Sequence, residues 1–412
     1  MDDASFASLR DQFPALSRRV GDRPAVFFDG PAGTQVPQRV IEAIADYLTR
    51  CNANHGGLFA TSIESDQLLD EAHRAAADLV GSDDPGTIAF GGNMTSLTFA
   101  LSRALSTTWN EGDEIILSGL EHDANYTPWM LAARDAGVRV HVIDVNTDQG
   151  TLKVDEYQSL LSDRTRLVAV GCASNAVGTI NPVKEICRQA REAGAMSFLD
   201  AVHYAPHRLI DVADWGCDFL VCSAYKFFGP HVGIFYGRRE LLESLQPYKL
   251  RPAPNDLPGR WMTGTQNHEG IAGTRAAIDY LAEIGRKAAA EASRREALEH
   301  AFNAITRFEQ TLLKRLLAGL HEIDSIQVYG IQNPDSPHPR CPTLSLNHRD
   351  MKAKALAQKL ADAGIFVWHG NYYALPLTER LGVEPDGMVR IGLVHYNTAE
   401  EVDRLLESLK QL

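Results

Sequence analysis

Between residues 85 and 236 the chain alternates short apolar runs with helical patterns, and this alternation narrows the fold more than any other feature. TIAF (87–90), EIILS (114–118), RVHVI (139–143), RLVAV (166–170), MSFLD (196–200), DFLVCS (218–223) and VGIFYG (232–237) read as strands. The intervening segments 95–105, 128–136, 154–161 and 182–193 read as helices. Strands and helices alternating at this spacing predict an α/β fold, with a mostly parallel seven-stranded sheet covered by helices on both faces. Functional sites in such sheets collect at the carboxyl ends of the strands.

A long helical pattern rich in alanine and charge follows at about 270–320 and reads as a connector. Beyond it, SIQVYG, CPTLSLN, KALAQKLADAGI, GMVRIGLV and TAEEVDRLLESLKQL predict a smaller α/β domain, with the turn NPDSPHPRCP separating two of its elements. The expected division is a large domain at 21–270 and a small one at 271–412, with residues 1–20 packed on the latter. At 412 residues the chain is long enough for two domains.

Apolar content of 44% and charged content of 23% are those of a globular protein. A formal net charge of −13 argues against nucleic acid or an anionic membrane as the main partner. No run reaches the length of a transmembrane span, and the acidic start lacks a signal-peptide pattern, so a cytoplasmic location is expected. The six cysteines are scattered without a CxxC pair, the pattern of reduced thiols rather than of a disulfide framework or a metal site.

Four features fall at strand ends. Asp200 closes MSFLD, where a buried carboxylate needs a cationic partner, although many such aspartates only cap a turn. His203 follows in DAVHYAPH and, taken alone, reads as a surface histidine. GGNMTSLTFALSR (91–103) is a strand-to-helix turn able to hold a phosphate on its amides, or simply a capped helix. Ser223 and Lys226 end DFLVCSAYK, and a lysine desolvated there is an amine nucleophile toward aldehydes. Each feature is ambiguous by itself. In this order they describe a pyridoxal 5′-phosphate site, with the lysine as Schiff base and the aspartate as partner of the pyridine nitrogen. Lys226 then lacks an acidic neighbour because its working state is a covalent imine.

Several longer stretches resemble the class V aminotransferase-like family of fold type I, in its cysteine desulfurase and selenocysteine lyase branch. FFDGPAGTQVP (27–37) resembles the opening "LDNAAT" segment, and LEHDANYTPW (120–129) the "EHHAN…PW" motif. NAVGTINPVKEI (175–186), MTGTQN (262–267) and VRIGLVHYNTAEEVDRLL (389–406) resemble three further family motifs. The resemblance covers nearly the whole chain. It implies that Lys226 and His122 are catalytic, Lys226 taking the Cα proton and His122 stacking on the cofactor ring. It implies cofactor contacts from Met94, Thr95, Asp200, His203, Ser223, Tyr225 and Thr265, the last in trans across a homodimer interface. On the substrate side it implies Ala32, His55, Asn175, Tyr373 and Arg390, the arginine holding the α-carboxylate. No metal is implied.

The sequence also departs from the family. Where the desulfurases carry a loop reading roughly "G-H-H-C-A-x-P-L", this chain has GNYYALPL (370–377), with Tyr373 at the position of the persulfide-forming cysteine. Tyrosine forms no persulfide. His203 replaces a usual glutamine and Tyr225 a usual histidine. Trp368, Tyr372 and Tyr373 predict aromatic walls for the substrate pocket. The expected activity is a lyase acting at the β-carbon of a small L-amino acid, by C–S cleavage or desulfination. An aminotransferase or epimerase is the alternative, and a persulfide-forming desulfurase or a non-catalytic scaffold the more distant readings.

Overall fold

The structure is a computed structural model and describes residues 6–333 and 335–412; the expectations touching residues 1–5 and Pro334 lie outside them. Each of the seven apolar runs is a strand: β1 (Ile88–Gly91), β2 (Glu114–Ser118), β3 (Arg139–Ile143), β4 (Thr165–Gly171), β5 (Met196–Asp200), β6 (Phe219–Ser223) and β7 (Gly233–Gly237). They form one sheet in the order β1-β7-β6-β5-β4-β2-β3. Every neighbouring pair is parallel except those of β7, which runs antiparallel to β6 and β1.

Alternate side chains of these strands serve two cores, as the two-residue period of a strand requires. Ile116, Val168 and Leu220 pack on one face, under α1 (Gln38–Arg50), α2 (Ala60–Val80) and further helices. Ile115, Leu167, Phe198 and Val221 pack on the other, against α3 (Met94–Ser106) and α4 (Thr127–Ala136), with Trp129 fully buried among them. Burial on both faces is why the central strands read as near-continuous apolar runs.

The 270–320 pattern is two helices, α5 (His268–Arg286) and α6 (Arg294–His321). The break is chemical: Ser293 and Glu296 form a capping box that restarts the helix. α5 packs on α1 and α2, and the last third of α6, through Leu312, Leu316 and Leu320, enters the core of the second sheet. That sheet holds β8 (Ile326–Tyr329), β9 (Thr343–His348), β10 (Trp368–Gly370) and β11 (Met388–Gly392) in the antiparallel order β8-β9-β11-β10. The short, exposed β10 gives no apolar signal in the sequence. Val26 and Phe28 join this second core, and Val26–Phe27 pairs with Ile365–Phe366.

Among residues 6–20, Phe6 stacks on Phe308 with ring centroids 4.3 Å apart, and Phe13 meets Tyr280 at 5.5 Å and Tyr396 at 5.1 Å. The segment therefore lies across α5, α6 and the turn after β11. Among the described residues no helix is long and apolar enough to cross a membrane.

One glycine joins the two sheets. Gly178 has φ +76°, and a Cβ there would lie 2.5 Å from the Thr343 carbonyl oxygen of β9. Only glycine allows this backbone conformation and this approach together, and it brings Asn175, three residues before, against the strand that carries Arg390.

Candidate active site

Lys226 sits in the turn Ala224–Lys226 directly after β6, and Asp200 is the last residue of the neighbouring β5. Both side chains line an enclosed cleft with Met94, Thr95, Glu121, His122, His203 and Tyr225. The Lys226 ammonium donates to the Pro31 carbonyl and lies 4.8 Å from the Tyr225 ring centroid. Burial, helped by Arg390 and opposed by Asp200, pulls its pKa down to about 7. The Asp200 carboxylate accepts the Val202 amide at 2.8 Å, and burial raises its pKa to about 6. The lysine is thus poised as a neutral amine near neutrality.

The rest of the cleft suits an aromatic, phosphate-bearing guest. His122 Nδ1 accepts the Ala124 amide at 3.0 Å, and burial pushes its pKa down to about 3, which keeps the ring neutral and fit for stacking. His203 is 5% exposed; its Nε2 is sealed from solvent and has no hydrogen-bond partner. Burial, then the neighbouring His207, holds its pKa well below the usual histidine range. Ser223 Oγ accepts the amide of Met94, the first residue of α3, at 3.0 Å, so it stands at the positive end of that helix. Asn93, not Thr95, caps the helix by accepting the Ser96 amide at 2.8 Å. These residues fit pyridoxal phosphate: Lys226 to bind its aldehyde, Asp200 to face a protonated ring nitrogen, and Ser223 with the α3 amino terminus to meet the phosphate.

A wider cavity of about 780 Å³ opens from the same lysine and is lined by Ala32, Thr95, His122, Asn175, Tyr225, Tyr373 and Arg390 among others. Arg390 lies on β11, 5% exposed, with its guanidinium 4.4 Å from the Tyr372 ring centroid and donating to the Asn175 carbonyl at 2.9 Å. Burial lowers its pKa to about 10, so it stays a cation. The Asn175 side chain donates to the Tyr372 carbonyl at 2.9 Å, and its own Oδ1 is buried without a partner. None of the six cysteines lines either cavity, and all are buried; burial pushes Cys341 up to about 12.

Two of the expected residues stand apart within the chain. His55 and Thr265 are exposed and together line a larger cavity of about 980 Å³ that does not include Lys226. The structure therefore does not bring His55 to the Arg390 side of the site in one subunit. Thr265 likewise lines neither cavity that holds Lys226.

Other residues join the site without a reading of their own in the sequence. Glu121, 1% exposed, accepts from the Gly171 amide at 2.8 Å, from Asn125 Nδ2 at 2.6 Å and from the Ser118 hydroxyl. Burial still raises it to about 8, with Asp200 adding to the rise. Asp29 is raised to about 6 by burial and feels Arg390. Both match a letter of the family motifs, Glu121 the E of "EHHAN" and Asp29 the D of "LDNAAT", and that match is the one signal the sequence offers. Behind His203, His207 Nδ1 pairs with the buried Glu309 at 2.9 Å.

The family model for aminotransferase class V matches residues 26–405. Among curated relatives, a cysteine desulfurase of Pectobacterium carotovorum is 32% identical, covering 98% of this chain and 97% of its own. One of Yersinia pseudotuberculosis is 33% identical with the same coverage. Among solved structures, a cysteine desulfurase from Thermococcus onnurineus superposes with a TM-score of 0.87 at 26% identity, covering 98% of this chain and 97% of that one. One from Escherichia coli gives 0.84 at 26% identity, covering 100% and 98%. The chain belongs to the class V aminotransferase family, as a pyridoxal phosphate-dependent enzyme of its cysteine desulfurase-like members.

Proposed function

We propose that the protein is a β-lyase that cleaves the C–S bond of an S-substituted L-cysteine. The observation that carries this reading is the wall of the cavity opposite Lys226. Tyr373 lines the cavity, at the loop position that the family resemblance gives to a sulfur-accepting cysteine, and no cysteine is among the lining residues. A leaving group that departs by itself needs no such thiol.

Arg390 is placed to pair with the α-carboxylate, its planar fork suited to two parallel hydrogen bonds. Asn175, whose Oδ1 is unpartnered, stands beside it for the α-amine or carboxylate. Pyridoxal phosphate, when bound, supplies a protonated ring that accepts the electron pair left at Cα. Asp200, in the cleft at the end of β5, would face that ring nitrogen with its carboxylate and keep it protonated. Lys226, neutral above pH 7, takes the Cα proton on Nζ. The Cβ–S electron pair leaves with sulfur, which gains a proton to give a thiol. The remaining three-carbon enamine hydrolyses in water to pyruvate and ammonium. His122, held neutral by burial, would pack against the bound ring without competing for the proton. We also propose a homodimer in which His55 and Thr265 of one subunit complete the site of the other.

Product analysis of the cofactor-loaded protein tests the reading. The panel holds L-cysteine, cysteine sulfinate, S-alkyl cysteines and their sulfoxides, and alanine with a keto acid. Pyruvate and ammonium in equal amounts from the S-substituted cysteines are expected. Sulfide with alanine from free cysteine in reductant would overturn it, as would amino-group exchange alone.

A further inference from the structure

Resting on the β-lyase reading, we infer that the cavity selects a substrate whose sulfur carries a large, flat, uncharged group, an aryl or arylmethyl substituent rather than a small alkyl or an anionic one. The sequence points to a small amino acid, but the cavity, part of which the cofactor at Lys226, His122 and Thr95 would fill, is also lined by Trp368 and Tyr373 on the substrate side. About 780 Å³ lies in the range of sites that enclose drug-sized ligands, roughly 300–1,000 Å³.

The lining gives the chemistry. Phe99, Pro128, Trp368, Tyr372 and Tyr373 surround the space beyond Lys226 and Arg390. Trp368 and Tyr373 are 50% and 69% exposed, large aromatic surfaces left open at the rim of a cavity. Trp368 lies directly across from Arg390 in the β10–β11 register. Opposed residues of an antiparallel pair share one face of the sheet, so the indole stands beside the guanidinium that pairs with the α-carboxylate. On the other side Tyr373 stacks on His122, with centroids 5.4 Å apart and planes 29° from parallel. A flat group on sulfur thus has both an indole and a phenol to meet on the cavity lining, aromatic contacts of the kind that add to the area they bury.

The charges point the same way. Among the described lining residues, Lys226 and Arg390 are the only lysine and arginine, and the amine and α-carboxylate chemistry uses both. A sulfinate or second carboxylate would find no further lysine or arginine and would meet Asp123, whose carboxylate is already bonded by Thr127 at 3.0 Å.

The tyrosine wall is also held in place. Tyr372 and Tyr373 have φ of 54° and 59°, a left-handed conformation that bulky side chains rarely adopt. Their carbonyls accept from Asn175 at 2.9 Å and from the Asp123 amide at 2.7 Å, and the Tyr372 hydroxyl donates to the Met388 carbonyl. Strain pinned at both ends of a binding loop marks preorganisation for a ligand.

The test compares S-benzyl-L-cysteine with S-methyl-L-cysteine on the cofactor-loaded protein, by kcat/KM for pyruvate release and by Kd from calorimetry. We expect S-benzyl-L-cysteine to be favoured at least tenfold in both, with the ratio falling toward one in Tyr373→Ala and in Trp368→Ala. The visible absorbance of the bound cofactor and the melting temperature report that each variant is folded. Equal or better use of the methyl substrate overturns the aromatic slot and leaves the β-lyase reading standing. Tighter binding of the benzyl compound with no pyruvate from either overturns the β-lyase reading and keeps the slot. Loss of the tenfold preference in neither variant overturns the assignment to these two residues.

Discussion

The two ends of the Lys226 cavity are built from different material. At the inner end, Asp200 and Lys226 stand at the carboxyl ends of adjacent parallel strands whose other residues are all buried or nearly so. Strand-end groups inherit the rigidity of the sheet, and their pKa values are set by burial. At the outer end, Trp368 sits on a three-residue edge strand and Tyr372 and Tyr373 on a loop in a left-handed conformation. The inner end holds the residues that fit the cofactor, and the outer end holds the aromatic residues of the proposed substrate wall. Chemistry is placed on the part that cannot move, and selection on the part that evolution can reshape without disturbing the sheet.

That division predicts the largest effect at the inner end. On the proposed mechanism Lys226→Ala removes both the amine that would capture the cofactor aldehyde and the base for Cα, and turnover is expected to fall by about 10³-fold or more. The variant should also lose its covalently held cofactor on gel filtration. Retention of a tenth of the wild-type turnover would break the assignment of Lys226.

A second, smaller effect sharpens the electrostatic half of the comparison. An amine attacks an aldehyde only when neutral. Burial has brought Lys226 down from 10.5 to about 7, so its neutral fraction is near full above pH 8 and falls about tenfold for each unit below pH 7. In cofactor-free protein, stopped-flow capture of pyridoxal phosphate should slow about 50-fold between pH 7, where about half of Lys226 is neutral, and pH 5 once the cofactor's own titration is subtracted. A rate that keeps rising to pH 10 would mean an ordinary, solvated lysine and a cleft more open than the one described.

The same contrast explains what the sequence disclosed. The seven strands were legible because burial on both faces leaves apolar runs that solvent exposure would have interrupted. Asp200 and Lys226 were legible because a charged residue ending such a run has few reasons to be there. The helices Gln38–Arg50 and Ala60–Val80 were not read, since their exposed faces dilute the apolar stripe. The restart at Ser293 inside 270–320 was hidden by alanines that suit a helix on either side of it. Glu121 carries no strand-end signature of its own and becomes a buried carboxyl only when β4 brings Gly171 against it. His55 and Thr265 were named from resemblance, and one chain does not bring them to Lys226. The outer wall was legible in kind but not in form. Two adjacent tyrosines announce aromatic surface, but nothing in a tyrosine announces positive φ.

The smallest predicted effect tests whether that conformation is a feature of the outer wall or an incidental turn. Tyr373 is mostly exposed, so replacing it removes little buried area, while glycine adopts φ of 59° without the steric penalty that a side chain meets there. Part of this gain is offset because glycine also widens the unfolded ensemble. The net expectation for Tyr373→Gly is a gain of about 0.5 kcal/mol or less in unfolding free energy, read by chemical denaturation of the cofactor-loaded protein. The amide that donates to Asn371 Oδ1 at 3.1 Å and the carbonyl that accepts from Asp123 both remain, so the loop keeps its anchors. A stable variant with weaker binding of bulky substrates means the wild-type chain holds a strained tyrosine for what it touches. A variant destabilised by more than about 1 kcal/mol means the ring's stacking on His122 supports the fold itself. The outer wall would then belong with the rigid inner end, and the comparison between the two would fail.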